Sequence, residues 1–273
     1  MSKLRTLDLF AGIGGFSLGL ERTGGFETVA FCEIEEFPRK VLAKHWPDVP
    51  CYRDVRELTA ARLAADGIAV DVITGGFPCQ DISCAGYKVG IGGERSGLWT
   101  HLARLADEIR PQYLIVENVG ALLSRGLDVV LGDLAEIGFN AEWHCIPASA
   151  LGAPHHRDRF WLVAHPDDKS EPACTVDDEA RRVQEACRDI PTHTKCGQQS
   201  LGWLLEGIGR QWQSVARNLA WNSEDSPVGL GVDDGIPDRL DRLKALGNAV
   251  VPAIPELIGN AILEAREASR LAA

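Results

Sequence analysis

The chain has 273 residues, 45% of them apolar and 25% charged, with 28 Lys+Arg against 39 Asp+Glu and a formal net charge of −11. Apolar content of this order over this length buries one or two cores, which excludes disordered, collagen-like and low-complexity classes. The acidity is spread over the whole chain, about −6 over residues 1–150, −2 over 151–200 and −3 over 201–273, so no segment is a basic arm for nucleic acid.

No run approaches the roughly 18 consecutive apolar residues of a membrane span, and Met-Ser-Lys-Leu-Arg leads straight into a strand-like segment. The expectation is a soluble intracellular protein with no membrane partner. The eight cysteines form no CxxC pair, which disfavours a disulfide framework or a zinc ribbon.

Leu4 to Phe10 reads as a buried strand, a glycine-rich turn follows, and Phe16 to Arg22 opens a helix. Thr28 to Cys32 is strand-like, Glu35 to His45 has helical spacing, and Val70 to Thr74 is a short β-branched run. Leu98 to Ile109 is an amphipathic helix and Tyr113 to Val116 another apolar strand. This alternation predicts parallel crossovers in a doubly wound α/β sheet, with ligands beyond the carboxyl ends of the strands. Asn140 to Pro147 and Arg159 to Ala164 are expected to add an antiparallel edge. The rhythm then breaks down in a polar stretch, and Pro252 to Leu271 regains helix spacing, with Pro255 tolerated in the first turn. The expected division is a catalytic domain over 1–165, a small second region over 166–238, and a segment over 239–273 that returns to the first domain.

Candidate site residues fall where strands end. In Asp8-Leu9-Phe10-Ala11-Gly12-Ile13-Gly14-Gly15-Phe16 the glycines allow close approach of a ligand, but Ser17 stands where GxGxxG needs its third glycine, which counts against a dinucleotide. A plain tight turn is the alternative. Glu33 closes the second strand where an acidic residue can accept from both ribose hydroxyls, a solvent-facing carboxylate at a helix N-terminus being the alternative. Asp54 falls at the next loop, where it could read an adenine amino group or be a plain surface aspartate. Cys79, in Gly-Gly-Phe-Pro-Cys-Gln after a strand, is positioned like a nucleophile, although a small buried hydrophobe is the commoner use of cysteine. The glycine-rich stretch that follows, with Lys88 and Arg95, has the composition of a flap over a phosphate-bearing substrate. Glu117, in Val-Glu-Asn-Val, sits at a strand tip on the same rim, where a carboxyl can bind the N3 edge of a pyrimidine. His155-His156-Arg157-Asp158-Arg159 places two arginines on one face if extended. The paired histidines lack HExxH or Cys/His spacing, so no metal is expected.

Taken in order, DLFAGIGGF, Glu33, GGFPCQDIS, VENV, HHRDR and LGNAVVP resemble the DNA (cytosine-5) methyltransferase family, over roughly residues 4–164 and 240–265. The resemblance implies a Rossmann-like, S-adenosylmethionine-dependent fold with a small target-recognition region. It implies a mechanism in which the Cys79 thiolate adds to carbon 6 of a flipped-out cytosine, Glu117 binds the N3 edge, and Arg159, with Arg157 beside it, steadies the base. Cofactor contacts carried over by position are Phe10, Gly12, Ile13, Gly15, Glu33, Ile34, Asp54, Val55, Pro78, Leu98 and Asn248. DNA contacts are expected from Gln80, Ser83, Lys88, Arg95, Arg239, Arg242 and Lys244, with Arg210 and Arg217 as further cations. His155 replaces the usual glutamine and Ala249 the usual serine, and the arginine-rich segment before the last motif is reduced to Arg239, Arg242 and Lys244. The implied partner is double-stranded DNA, the protein acting as a monomer inside a prokaryotic or phage-infected cell, within or outside a restriction-modification system. The same chemistry on transfer RNA and a catalytically silent binding module are the competing readings.

Overall fold

The computed structural model describes residues 2–77, 97–124, 126–151, 157–167 and 239–272. Cys79, Pro78, Gln80, Ser83, Lys88 and Arg95 lie outside the described residues, as do His155, His156, Arg210, Arg217 and most of the expected 166–238 region.

Five strands alternate with helices in chain order: β1 Leu4–Leu9, α1 Gly15–Arg22, β2 Phe26–Cys32, α2 Glu36–His45, β3 Cys51–Tyr52, α3 Ala60–Ala65, β4 Val72–Gly76, α4 Leu98–Ile109 and β5 Tyr113–Val119. They are followed by α5 Leu127–Glu136, β6 Phe139–Pro147, β7 Asp158–Pro166, α6 Arg239–Asn248 and α7 Ala253–Ala272. The seven strands form one sheet in the order β3-β2-β1-β4-β5-β7-β6. Strands β1 to β5 pair in parallel, while β7 runs antiparallel between β5 and β6. The order reverses between β1 and β4, the switch point where doubly wound sheets open a ligand crevice.

Central strands covered on both faces must be apolar throughout, and β5 shows it: Leu114, Ile115 and Val116 are fully buried. The same demand explains Phe160 to Ala164 in β7, buried without a break, whereas the edge strand β6 is mostly half-buried. One face of the sheet is covered by α4 and α5, with Trp99, Leu102, Leu105, Val130 and Leu134 in a single apolar cluster. The Trp99 indole N–H, which burial leaves without water, donates to Asp133 Oδ2 at 2.7 Å and ties the two helices. The other face is covered by α1 and α7 through Phe16, Leu20, Ile254, Leu257, Ile258 and Ile262. By length and composition the stretch Lys244–Leu271, whose most apolar 18 residues have a mean hydropathy of 1.3, could cross a membrane, but here its apolar stripe packs in the core.

Helices α3 and α5 and the second half of β5 exceed the sequence expectation. Residues 60–65 offer one large apolar side chain, Leu63, and are too short to stand out locally, whereas 127–136 do carry helical spacing in Leu127, Val130, Leu131 and Leu134 that the sequence reading passed over; both pack on the α4 face.

Candidate active site

The β1–α1 turn has left-handed backbone at Phe10 (φ 54°), Gly12 (φ 54°) and Gly14 (φ 86°). At Phe10, which has a Cβ, this costs about 1–3 kcal/mol, a strain that folds retain mainly at functional loops. Gly12 has nothing within 4 Å of where a Cβ would sit, so the loop presents open space there. Beneath the loop Asp8 is fully buried, accepting from Ser17 Oγ and Thr74 Oγ1, both at 2.8 Å. Burial pushes its carboxyl up to about 7 against the restraint of those two hydroxyls. Ser17, at the place of a missing third glycine, therefore has a task that the local pattern does not reveal.

Glu33, 7% exposed at the end of β2, accepts the Gly12 N–H at Oε2 and the Glu35 N–H at Oε1, both at 2.8 Å. Each carboxylate oxygen has a second lone pair, so a pair of neighbouring hydroxyls could still be bound. At the β3 end Asp54 accepts from Arg56 through both oxygens, and this partner holds its carboxyl down at about 2.

The β4 and β5 tips meet in register, Gly76 opposite Glu117. A Cβ at Gly76 would stand 3.1 Å from Glu117 Oε2, so the glycine leaves that carboxyl its place. Antiparallel pairing brings Arg159 alongside, its Nε 2.9 Å from Glu117 Oε1. Burial raises the Glu117 pKa, while the charges of Arg159 and Arg157 pull it down without cancelling the rise. Asn118, 2% exposed, donates from Nδ2 to the Phe77 carbonyl at 3.0 Å and accepts the Val119 N–H. It thereby fixes the backbone two residues before Cys79, a role that the sequence reading of Val-Glu-Asn-Val missed.

These strand ends share one cavity of about 860 Å³, within the range of small-molecule sites. Phe10, Gly12, Glu33, Ile34, Asp54, Val55, Leu98 and Asn248 line it, as do Glu117 and Arg159. Ile13 and Gly15 do not; a Cβ on Gly15 would meet the Val250 carbonyl at 2.5 Å, so this glycine serves helix packing. Arg157 has φ 31° ahead of the extended strand, so the expected shared face with Arg159 does not form. Its guanidinium instead donates to the Gly247 and Ala249 carbonyls, both at 2.8 Å. Lys244 Nζ pairs with Glu35 Oε1 at 3.0 Å, both residues lining the cavity. Arg239 and Arg242 fall on α6, whose bounds alone are described there. Five carboxylates and four cations line the cavity, so its charge is mixed.

Sheet order, glycine turn and acidic strand ends define a doubly wound α/β protein with a cavity at the carboxyl ends of its strands. The family model of the C-5 cytosine-specific DNA methylases matches residues 4–207, and the chain belongs to that family, whose methyl donor is S-adenosylmethionine. Relatives include the type II methyltransferase M.CviJI of Paramecium bursaria Chlorella virus IL3A, 35% identical over 64% of this chain and 52% of that protein. M.Sau3AI of Staphylococcus aureus is 34% identical over 62% of this chain and 45% of its own length. The chain thus spans about half the length of these relatives. Among solved structures, a mutant of Spodoptera frugiperda DNMT2 superposes with a TM-score of 0.52 at 22% identity, covering 63% of this chain and 52% of the other. A putative DNA modification methyltransferase encoded within an Escherichia coli prophage gives 0.51 at 22% identity, over 76% and 64%. These two show likeness of fold.

Proposed function

We propose that the chain transfers a methyl group from S-adenosylmethionine to carbon 5 of a cytosine in duplex DNA, held outside the base stack. The observation that carries this reading is the single cavity with Glu33 at one end and the Glu117–Arg159 pair at the other. The residues present suit the cofactor: Glu33 keeps acceptors for a ribose diol, Gly12 leaves room, and Phe10, Ile34 and Leu98 supply apolar wall for a purine.

The Cys79 thiolate forms a bond to carbon 6, and the pair of the 5,6 double bond moves to carbon 5. S-adenosylmethionine supplies the methyl group as an electrophile on a sulfonium, whose sulfur keeps the bonding pair. A base then takes the carbon 5 proton, the double bond re-forms and the carbon–sulfur bond breaks, returning the thiolate. Glu117 donates to N3 while negative charge builds in the ring, and its raised pKa keeps that proton available to higher pH than an exposed glutamate would. Arg159 fixes the Glu117 carboxyl and neutralises it when it ionises. Cys79 and the target cytosine meet only outside the stack, since carbon 6 of a paired base is covered by its neighbours. Residues 166–238 are the proposed region that reads the target.

Bisulfite sequencing of plasmid from cells expressing the protein tests this reading, alongside labelled methyl transfer to DNA and to transfer RNA. Methylation at one recurrent cytosine context, absent with Cys79→Ala, is expected. Label confined to transfer RNA would move the substrate class, and no label in either would refute the activity.

A further inference from the structure

We propose that Arg157 is a positioning residue for the cofactor end of the cavity, holding the C-terminal end of α6 so that Asn248 stands in the cavity wall. This rests on the reading of that cavity as the S-adenosylmethionine site.

The last carbonyls of a helix have no partner within it and carry the negative end of its dipole. In α6 they are met by a cation about 90 residues away in sequence, just ahead of β7: Arg157 Nη2 donates to Gly247 O and Ala249 O at 2.8 Å, and Nη1 approaches Leu246 O at 3.5 Å. The two short bonds flank Asn248, which lines the cavity. Both short bonds leave Nη2, one N–H to each carbonyl, while Nη1 lies on the Leu246 side, so the planar guanidinium faces three carbonyls at once, which a lysine on its shorter reach does not reproduce. The positive φ at Arg157, rare for a residue with a Cβ, turns its side chain from the course Arg159 follows toward Glu117.

The other ties on this segment differ in kind. Lys244–Glu35 is an exposed pair, weak by nature. Beyond Asn248, the Val250 and Pro252 carbonyls press on α1 where Cβ atoms at Gly15 and Gly19 would meet them at 2.5 and 2.2 Å. Thus α1 fixes residues 250–252 by close packing and Arg157 fixes 246–249 by hydrogen bonds. Removing the guanidinium frees the end of α6 and withdraws Asn248 from a fixed place. Arg159 in β7 and Arg157 just before it so take different parts of one cavity: Arg159 the Glu117 carboxyl, Arg157 the wall that carries Asn248.

The test is calorimetric titration with S-adenosylhomocysteine, without DNA, on the full chain. Arg157→Ala is expected to weaken Kd about tenfold, the worth of a charge-assisted hydrogen bond, and to raise KM for the methyl donor more than it lowers kcat. Arg157→Lys recovers part of the loss, and Arg159→Ala leaves Kd near the wild-type value. Adding Asn248→Ala to Arg157→Ala costs less than Asn248→Ala alone, because one path carries both effects. A wild-type Kd in Arg157→Ala, with the loss confined to kcat, would overturn the proposal and return Arg157 to the base. If the alanine variant does not fold, Arg157→Lys decides: a loss of about threefold or more supports the proposal and a smaller one overturns it. A wild-type protein that does not bind S-adenosylhomocysteine would remove the cofactor reading itself, and this proposal with it.

Discussion

At the Glu33 end of the cavity a carboxylate is gripped by two backbone N–H groups, and beyond it Asp54 is held ionised by Arg56. At the Glu117 end a carboxyl is buried in contact with Arg159, with the charge of Arg157 also felt, and burial lifts its pKa despite these cations. The first arrangement suits binding, since carboxylate oxygens fixed in place by donors recognise hydroxyls and amines. The second suits chemistry, because a carboxyl whose two forms lie closer in energy can hold a proton for the ring and release it.

Substitutions at the two ends should therefore separate in kinetics. The largest effect is expected from Glu117→Gln, which keeps the shape and removes the exchangeable carboxyl proton. The turnover number should fall about 10²–10⁴-fold with little change in Kd for S-adenosylhomocysteine. Equal losses in both would erase the distinction between the ends. Next is Glu33→Ala, which leaves the Gly12 and Glu35 N–H groups without their acceptor and removes the proposed ribose contact. Cofactor Kd should weaken about 10–100-fold by calorimetry, with a smaller loss of kcat at saturating cofactor.

The last effect bears on stability rather than on turnover or cofactor affinity, and concerns the buried carboxyl under the glycine turn. Asp8 has its pKa raised from 3.8 to about 7, so the folded state keeps a proton that the unfolded chain releases. Its contribution is full below pH 4, declines as pH rises toward 7 and is absent above, on the order of a few kcal/mol in all. Asp8→Asn keeps a polar partner for Ser17 and Thr74 but cannot ionise. The difference in melting temperature, variant minus wild type, should shift in the variant's favour between pH 5 and pH 8. Parallel pH profiles would show that Asp8 does not titrate in that window.

Much of this site was legible because it depends on strand ends, which short patterns mark well. The glycine turn, Glu33, Asp54 and Val-Glu-Asn-Val each follow an apolar strand, and the sheet brings them to one rim as a doubly wound order requires. What escaped was set by partners distant in sequence. Arg157 and Arg159 look equivalent locally, but one reaches Gly247 and Ala249 and the other Glu117. Gly15 reads as a ligand-loop glycine until Val250 is packed against it, and nothing near Lys244 in sequence, read there as a DNA-contacting cation, shows that Glu35 lies beside it. Asn118 was passed over because its partner, the Phe77 carbonyl, is a backbone group on another strand's exit.

The most direct test of the central claim, that both ends of the cavity serve one covalent methyl transfer, uses a duplex carrying 5-fluorocytosine at the cytosine mapped by bisulfite sequencing. Fluorine replaces the carbon 5 proton, so the final elimination cannot occur. The account predicts a protein–DNA adduct that survives denaturation, requires S-adenosylmethionine and is lost in Cys79→Ala. No adduct with the wild-type chain, or an equal yield from Cys79→Ala, would contradict it.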